Sequence, residues 1–144
     1  MADGISVNIV GIADLQRSLR GLVGKEQRRV LRKSLTKGAA VTRKAMRRLA
    51  PRGPTGNLRK SVKSKVRVNK RIAVAVVTPR HEIAPHRHLV IRGTKLRAKS
   101  SGQSTGRMPG EDFVAEAFDA TSSKAGDVML DVAADMIEQA WNRG

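Results

Sequence analysis

Three histidines, His81, His86 and His88, are the only imidazoles in the chain and the first place to look for metal or acid–base chemistry. His86-Arg87-His88 sets two rings two residues apart, a spacing that shares one face of a strand. The set falls short of a zinc sphere. There is no cysteine, Glu82 is the nearest acid, and the Arg87 cation stands between the rings. A structural or solvent-facing role outweighs a metal site. Nucleophilic catalysis fares no better, because the serines lack a G-x-S-x-G elbow and form no Ser/His/Asp set. Gly53-Pro-Thr-Gly-Asn-Leu-Arg-Lys60 has glycine and cations but not the order of a phosphate-cradling loop. The carboxylates that could pair for proton transfer crowd the C-terminal segment at the spacing of a solvated helix face. The expectation is therefore no catalytic residue, no metal and no cofactor, and a chain that is not an enzyme.

The strongest signal is charge. The 144 residues carry a net charge of +17, unevenly spread. Residues 1–71 hold 20 Lys/Arg against Asp3, Asp14 and Glu26, whereas residues 111–144 hold Lys124 and Arg143 against 8 acids. A basic body with an acidic end favours nucleic acid or acidic protein surfaces. It also allows head-to-tail association between copies. Only Phe113, Phe118 and Trp141 are aromatic. A core of Ala, Val, Leu and Ile is thin, and neighbouring subunits are expected to complete its burial. The few aromatics also leave no platform for stacking single-stranded bases. No zinc-finger or helix-turn-helix pattern is present, so any DNA contact is expected to be with phosphates and indifferent to sequence.

These charges need elements to hold them, and 144 residues suffice for one domain spanning the whole chain. Ile5 to Val10 alternates as a short strand. Asp14 sits where an N-cap belongs, ahead of Leu15, Leu19, Leu22 and Val23, with Gly24 to close the turn. A long helix is expected over 25–49. Leu31, Leu35, Gly38, Thr42, Ala45 and Leu49 form its inner stripe, with Val30, Val41 and Met46 alongside, and Arg28, Arg32, Arg43 and Arg47 are among nine cations on the rest. Pro51 ends it. Ser61 to Val68 alternates valine with Lys63, Lys65 and Arg67, the pattern of a half-buried strand. Asn69-Lys70-Arg71 is a turn, and Ile72 to Val77 completes an antiparallel hairpin. Residues 94–110 are expected to be a long mobile loop. Helix returns from Glu111 to about Ala120. A final amphipathic helix, capped by Ser122 or Ser123, carries Asp127, Asp131, Asp135 and Glu138 on its outer face. The fold class is α+β: a small antiparallel sheet packed against a long N-terminal-half helix and a C-terminal amphipathic helix.

The first residues, MADGISVNIVGIADLQ, carry an early acid and lack a basic start before an apolar stretch, so they do not read as a secretory leader. The longest apolar run, Ile72 to Val77, is far shorter than a membrane span, and no membrane contact is expected.

Three segments in order resemble a known family. They are Arg47-Arg48-Leu49-Ala50-Pro51 running into Thr55-Gly56-Asn57-Leu58-Arg59-Lys60-Ser61-Val62; His88 to Gly93-Thr94; and Met108-Pro109-Gly110-Glu111-Asp112-Phe113 to Phe118. With the opening Gly11-Ile-Ala-Asp-Leu15, they are similar to the small tail-component or neck proteins of long-tailed bacteriophages. Ile91-Arg92 and Asp112 depart from the residues usual there, which bears on the loop more than on the fold.

The resemblance implies a structural virion protein, assembled in the host cytoplasm, that forms a homo-oligomeric ring at the head–tail junction. The ring would be a hexamer, or alternatively a dodecamer, joining head-closure or connector proteins to the tail tube in a neck, tail-completion or terminator role. Arg28, Arg32, Arg43, Arg47, Phe113, Phe118, Asp127, Asp131, Asp135 and Glu138 are expected at its assembly interface. Lys63, Lys65 and Arg67 form a basic strand face open to packaged DNA, to another subunit or to water. The alternatives are a sequence-nonspecific nucleic-acid-binding protein and a transient tail-assembly factor.

Overall fold

The computed structural model describes residues 12–107 and 109–143. The strand expected from Ile5 to Val10 lies outside them. Helix α1 (Ile12–Arg20) starts before Asp14, which falls in its first turn rather than at the cap and pairs with Arg17. Helix α2 (Gly24–Leu49) follows almost at once, so Gly24 opens a helix instead of closing one. A five-residue helix α3 (Asn57–Ser61) lies between α2 and the hairpin, where the sequence pointed straight to a strand. Strands β1 (Val62–Val68) and β2 (Ala73–Pro79) pair antiparallel with Val62 opposite Pro79 and Val68 opposite Ala73. The Asn69 side chain accepts from the backbone N–H groups of Arg71 and Ile72 at 2.8 Å, which holds the expected turn.

Helix α4 (Arg87–Arg92) places His88 in a helix. Rings two residues apart then point away from each other, not along one strand face. The segment 94–110 carries a short hairpin of its own, β3 (Arg97–Ala98) with β4 (Ser104–Gly106). Its stem is tight: Glu111 N–H donates to Val90 O at 2.8 Å, and a Cβ on Gly110 would sit 2.6 Å from the Arg92 carbonyl carbon. Only glycine fits that approach.

Helix α5 (Phe113–Asn142) is one continuous element where two were expected. The Asp112 carboxylate caps it by accepting from Ala115 N–H at 3.0 Å. No proline interrupts it, and the residues that suggested a second cap lie in mid-helix. Thr121 Oγ1 donates back to Ala117 O at 2.6 Å, so its hydroxyl is satisfied without ending the helix.

The architecture is α+β, with the β1–β2 sheet against α2, and α2 and α5 packed antiparallel along their lengths. Two apolar clusters sit at opposite ends of that helix pair. One joins Leu19, Val30, Ala133 and Ile137. The other gathers Ala45, Met46, Leu58, Val62, Val77, Phe113 and Ala117 around the hairpin. The buried stripe of α2 is Val30, Ser34, Gly38, Ala39, Thr42, Ala45 and Met46, which keeps Gly38, Thr42 and Ala45 of the expected stripe and draws in the neighbouring Val30 and Met46. Leu31, Leu35 and Leu49 are only half-buried. Small residues occupy the centre because the helices cross closely there. A Cβ at Gly38 would overlap the Met129 side chain and come within 3.0 Å of Ala125 O. Beside it, Thr42 Oγ1 and Thr121 Oγ1 lie 3.0 Å apart and buried. The Thr121 proton is spent on Ala117 O, so Thr42 donates.

Gly38→Val should destabilise the fold by about 1–3 kcal/mol through overpacking. Gly53→Ala, with nothing within 4 Å of the added carbon, should stay within about 0.5 kcal/mol of the parent. Urea unfolding midpoints measured side by side check both.

Candidate assembly interface

The four α2 arginines expected at an interface divide by position. Arg43 and Arg47 face the hairpin. Arg47 donates from Nε at 3.2 Å and from an Nη at 2.9 Å to Val62 O, so two N–H groups grip one carbonyl at the start of β1. Arg43 donates to Ser64 Oγ at 3.3 Å, and its Nε is buried without a hydrogen-bond partner. These two guanidiniums tie the helix to the strand. Arg28 is half-buried, and Arg32 is exposed. Sequence reasoning missed two further arginines with the same task. Arg59 Nε donates to Ala50 O at 2.8 Å, satisfying a carbonyl at the end of α2, and Arg87 donates to Pro79 O at 2.8 Å. Nothing in their spacing marks them, because their acceptors are backbone groups distant in sequence.

Phe113 is 2% exposed and belongs to the hairpin-end cluster, with Phe118 half-buried against it. The Phe113 ring is spent on this chain's own core. The acids behave oppositely. Asp127, Asp131, Asp135 and Glu138 are all exposed along α5. Among the described residues, the only ion pairs within 4 Å are Arg17–Asp14 and Arg29–Glu26, so the α5 carboxylates have no cation beside them.

Lys63, Lys65 and Arg67 are exposed on the outer face of β1, as the alternation required. Beside them on β2 the structure exposes Val74 (39%) and Val76 (49%), with Ile72 (51%) just before the strand. The run from Ile72 to Val77, expected as the second strand of the hairpin, is apolar at every position. In a two-stranded sheet with helices on one side only, half of it meets solvent. Cations and valines together line an open groove of about 560 Å³. His81 is exposed at one end of that groove, and His86 and His88 are exposed at the start of α4, where His88 Nδ1 lies 3.0 Å from Pro85 O. Among the described residues no three His, Asp or Glu side chains gather as a metal site, and no helix is long and apolar enough to cross a membrane.

Comparison with known families matches residues 13–93 to one described as "Bacteriophage HK97-gp10, putative tail-component". The match runs from α1 to the residue after α4 and so takes in the arginine clamps and the hairpin. No curated protein and no solved structure matches the chain.

Within the matched segment, the Arg47 grip sets an expected outcome. Arg47→Met should cost about 1.5–3 kcal/mol, the range for a hydrogen bond to a charged group. Arg47→Lys should not restore it, because an ammonium lacks the planar fork. Arg32→Gln, at an exposed site, should change stability by no more than about 0.5 kcal/mol. Thermal or urea unfolding of the three variants tests this.

Proposed function

Because the chain belongs to the HK97-gp10-like family of bacteriophage tail components, we propose that it is a non-catalytic virion protein forming a ring at the head–tail junction. The ring joins the head-closure or connector proteins to the tail tube, in a neck, tail-completion or terminator role, as a hexamer or, failing that, a dodecamer. One observation carries this reading. The chain separates its charge, with exposed carboxylates on α5 and exposed cations on α2 and β1, and among the described residues the α5 carboxylates have no cation within 4 Å. Charges held apart in one subunit are satisfied when copies meet head to tail, and a rotation that closes makes a ring. The thin, aromatic-poor core agrees, since a subunit with little apolar burial of its own gains most from neighbours.

A second reading has its own support. Arg29, Arg32, Lys33, Lys37, Lys44 and Arg48 are all exposed along α2, a row that suits phosphates of packaged DNA at any sequence. Contact of that kind is compatible with a neck ring. As the sole function it predicts tight, salt-sensitive duplex binding by the isolated protein and intact particles without it.

Imaging the neck of purified particles at side-chain resolution tests the proposal. The expected result is a closed ring of this chain between connector and tube. Particles made without it should accumulate filled heads and separate tails. Its absence from purified particles would leave a transient assembly factor instead. A second expectation is electrostatic: reversing Asp127, Asp131, Asp135 and Glu138 to lysine should weaken self-association at low salt. The difference should shrink as added salt screens the charges. Analytical ultracentrifugation across a salt series reads it.

A further inference from the structure

We infer that the outer face of the β1–β2 hairpin is the docking site for helix α5 of a second copy of this chain. The inference rests on the ring-forming reading and names the surfaces that meet. Two rows run side by side on the hairpin: Lys63, Lys65 and Arg67 on β1, and Ile72, Val74 and Val76 on and beside β2. They are held in step by the strand register, which sets Lys65 opposite Val76 and Arg67 opposite Val74. Two rows also run side by side on α5. Asp127, Asp131 and Asp135 form the exposed acidic one. Next to it around the helix lie Leu130, half-buried, Ala134, exposed, and Trp141, 61% exposed.

The spacings agree. Alternate residues on a strand lie about 6.6 Å apart, so the three β1 cations span about 13 Å. Residues four apart on a helix lie about 6 Å apart along its axis, so the three aspartates span about 12 Å. A helix laid along the hairpin can run in either direction. One of the two places acid on cation and apolar side chain on valine together. Glu82 is the only acid among the residues lining the groove, and it makes no ion pair with the β1 cations. Within the subunit α5 packs its other side on α2 and sets one edge of the Trp141 ring against Gly21 beyond α1, and the hairpin packs its inner side on α2, so the α5 aspartates and the β1 cations do not meet. The cations of α2, by contrast, have no exposed large apolar side chain beside them on the helix.

The chain has no cysteine, which makes a direct test clean. Lys65→Cys and Asp131→Cys are prepared as separate proteins, mixed and oxidised, so that any bridge joins two copies. The expected result is a covalent dimer well above that from Arg32→Cys mixed with Asp131→Cys. Equal yields from both mixtures overturn the assignment, and excess from the Arg32→Cys mixture moves the contact to α2. A charge exchange gives a second reading. Lys63→Glu/Lys65→Glu/Arg67→Glu should weaken self-association at low salt by about tenfold, as expected for three exposed pairs. Adding Asp127→Lys/Asp131→Lys/Asp135→Lys in the same chain should restore it. Circular dichroism confirms that each variant is folded. Loss without restoration overturns the docking, and so does a wild-type protein that stays monomeric at low salt. A ring seen in particles alongside a negative cross-link would sink this contact and leave the neck assignment standing.

Discussion

At Gly38, α2 and α5 come so close that an added Cβ would overlap the Met129 side chain and sit 3.0 Å from Ala125 O, and the rest of the subunit is arranged around that crossing. Close approach brings Thr42 within bonding distance of Thr121 and runs the two helices antiparallel. Their far ends must then meet different partners, α1 at one and the hairpin, α3 and α4 at the other. A chain with three aromatic residues cannot fill a wide gap between layers. Narrowing the gap with Gly, Ala and Thr is the alternative, and it works because packing density, not residue size, sets dispersion gain.

Arginine does the work that a larger core would otherwise do. Arg47, Arg59 and Arg87 each reach a backbone carbonyl on a different element. A guanidinium offers several donors on a long apolar stem, so it can cross from a helix to a strand end while covering carbon beneath it. The high positive charge is thus partly structural. Cations that make these bonds face inward, whereas the exposed ones on α2 and on β1 remain available to partners.

That division gives the family assignment physical content. A tail component interacts with other virion proteins, and the charge and apolar area exposed on its surfaces bear on that role. The exposed acids of α5, the exposed cations of β1 and the uncovered valines of β2 give these surfaces distinct charge and apolar character. The family match covers α1 to α4 and stops before α5, so the acidic half of this arrangement comes from a part of the chain outside the matched segment.

The amino-acid order alone determined the long helix and its end at Pro51, the hairpin with its Asn69 turn, and the exposure of Lys63, Lys65 and Arg67, because periodicity and local turn chemistry act over a few residues. It also made the α+β class and the resemblance to phage tail components readable, since those depend on the order of segments. Tertiary contact decided the rest. Gly38, Thr42 and Ala45 lie in the buried face of α2 as their spacing suggested, but where α5 could approach left Leu31, Leu35 and Leu49 half-buried. The continuity of α5 through Ser122 and Ser123 turned on packing along its whole length, which local capping signals do not register. Whether Arg47 meets a carbonyl or a neighbour, and whether Val74 meets a core or water, depends on residues far away in the chain. Only the folded structure brings those residues together.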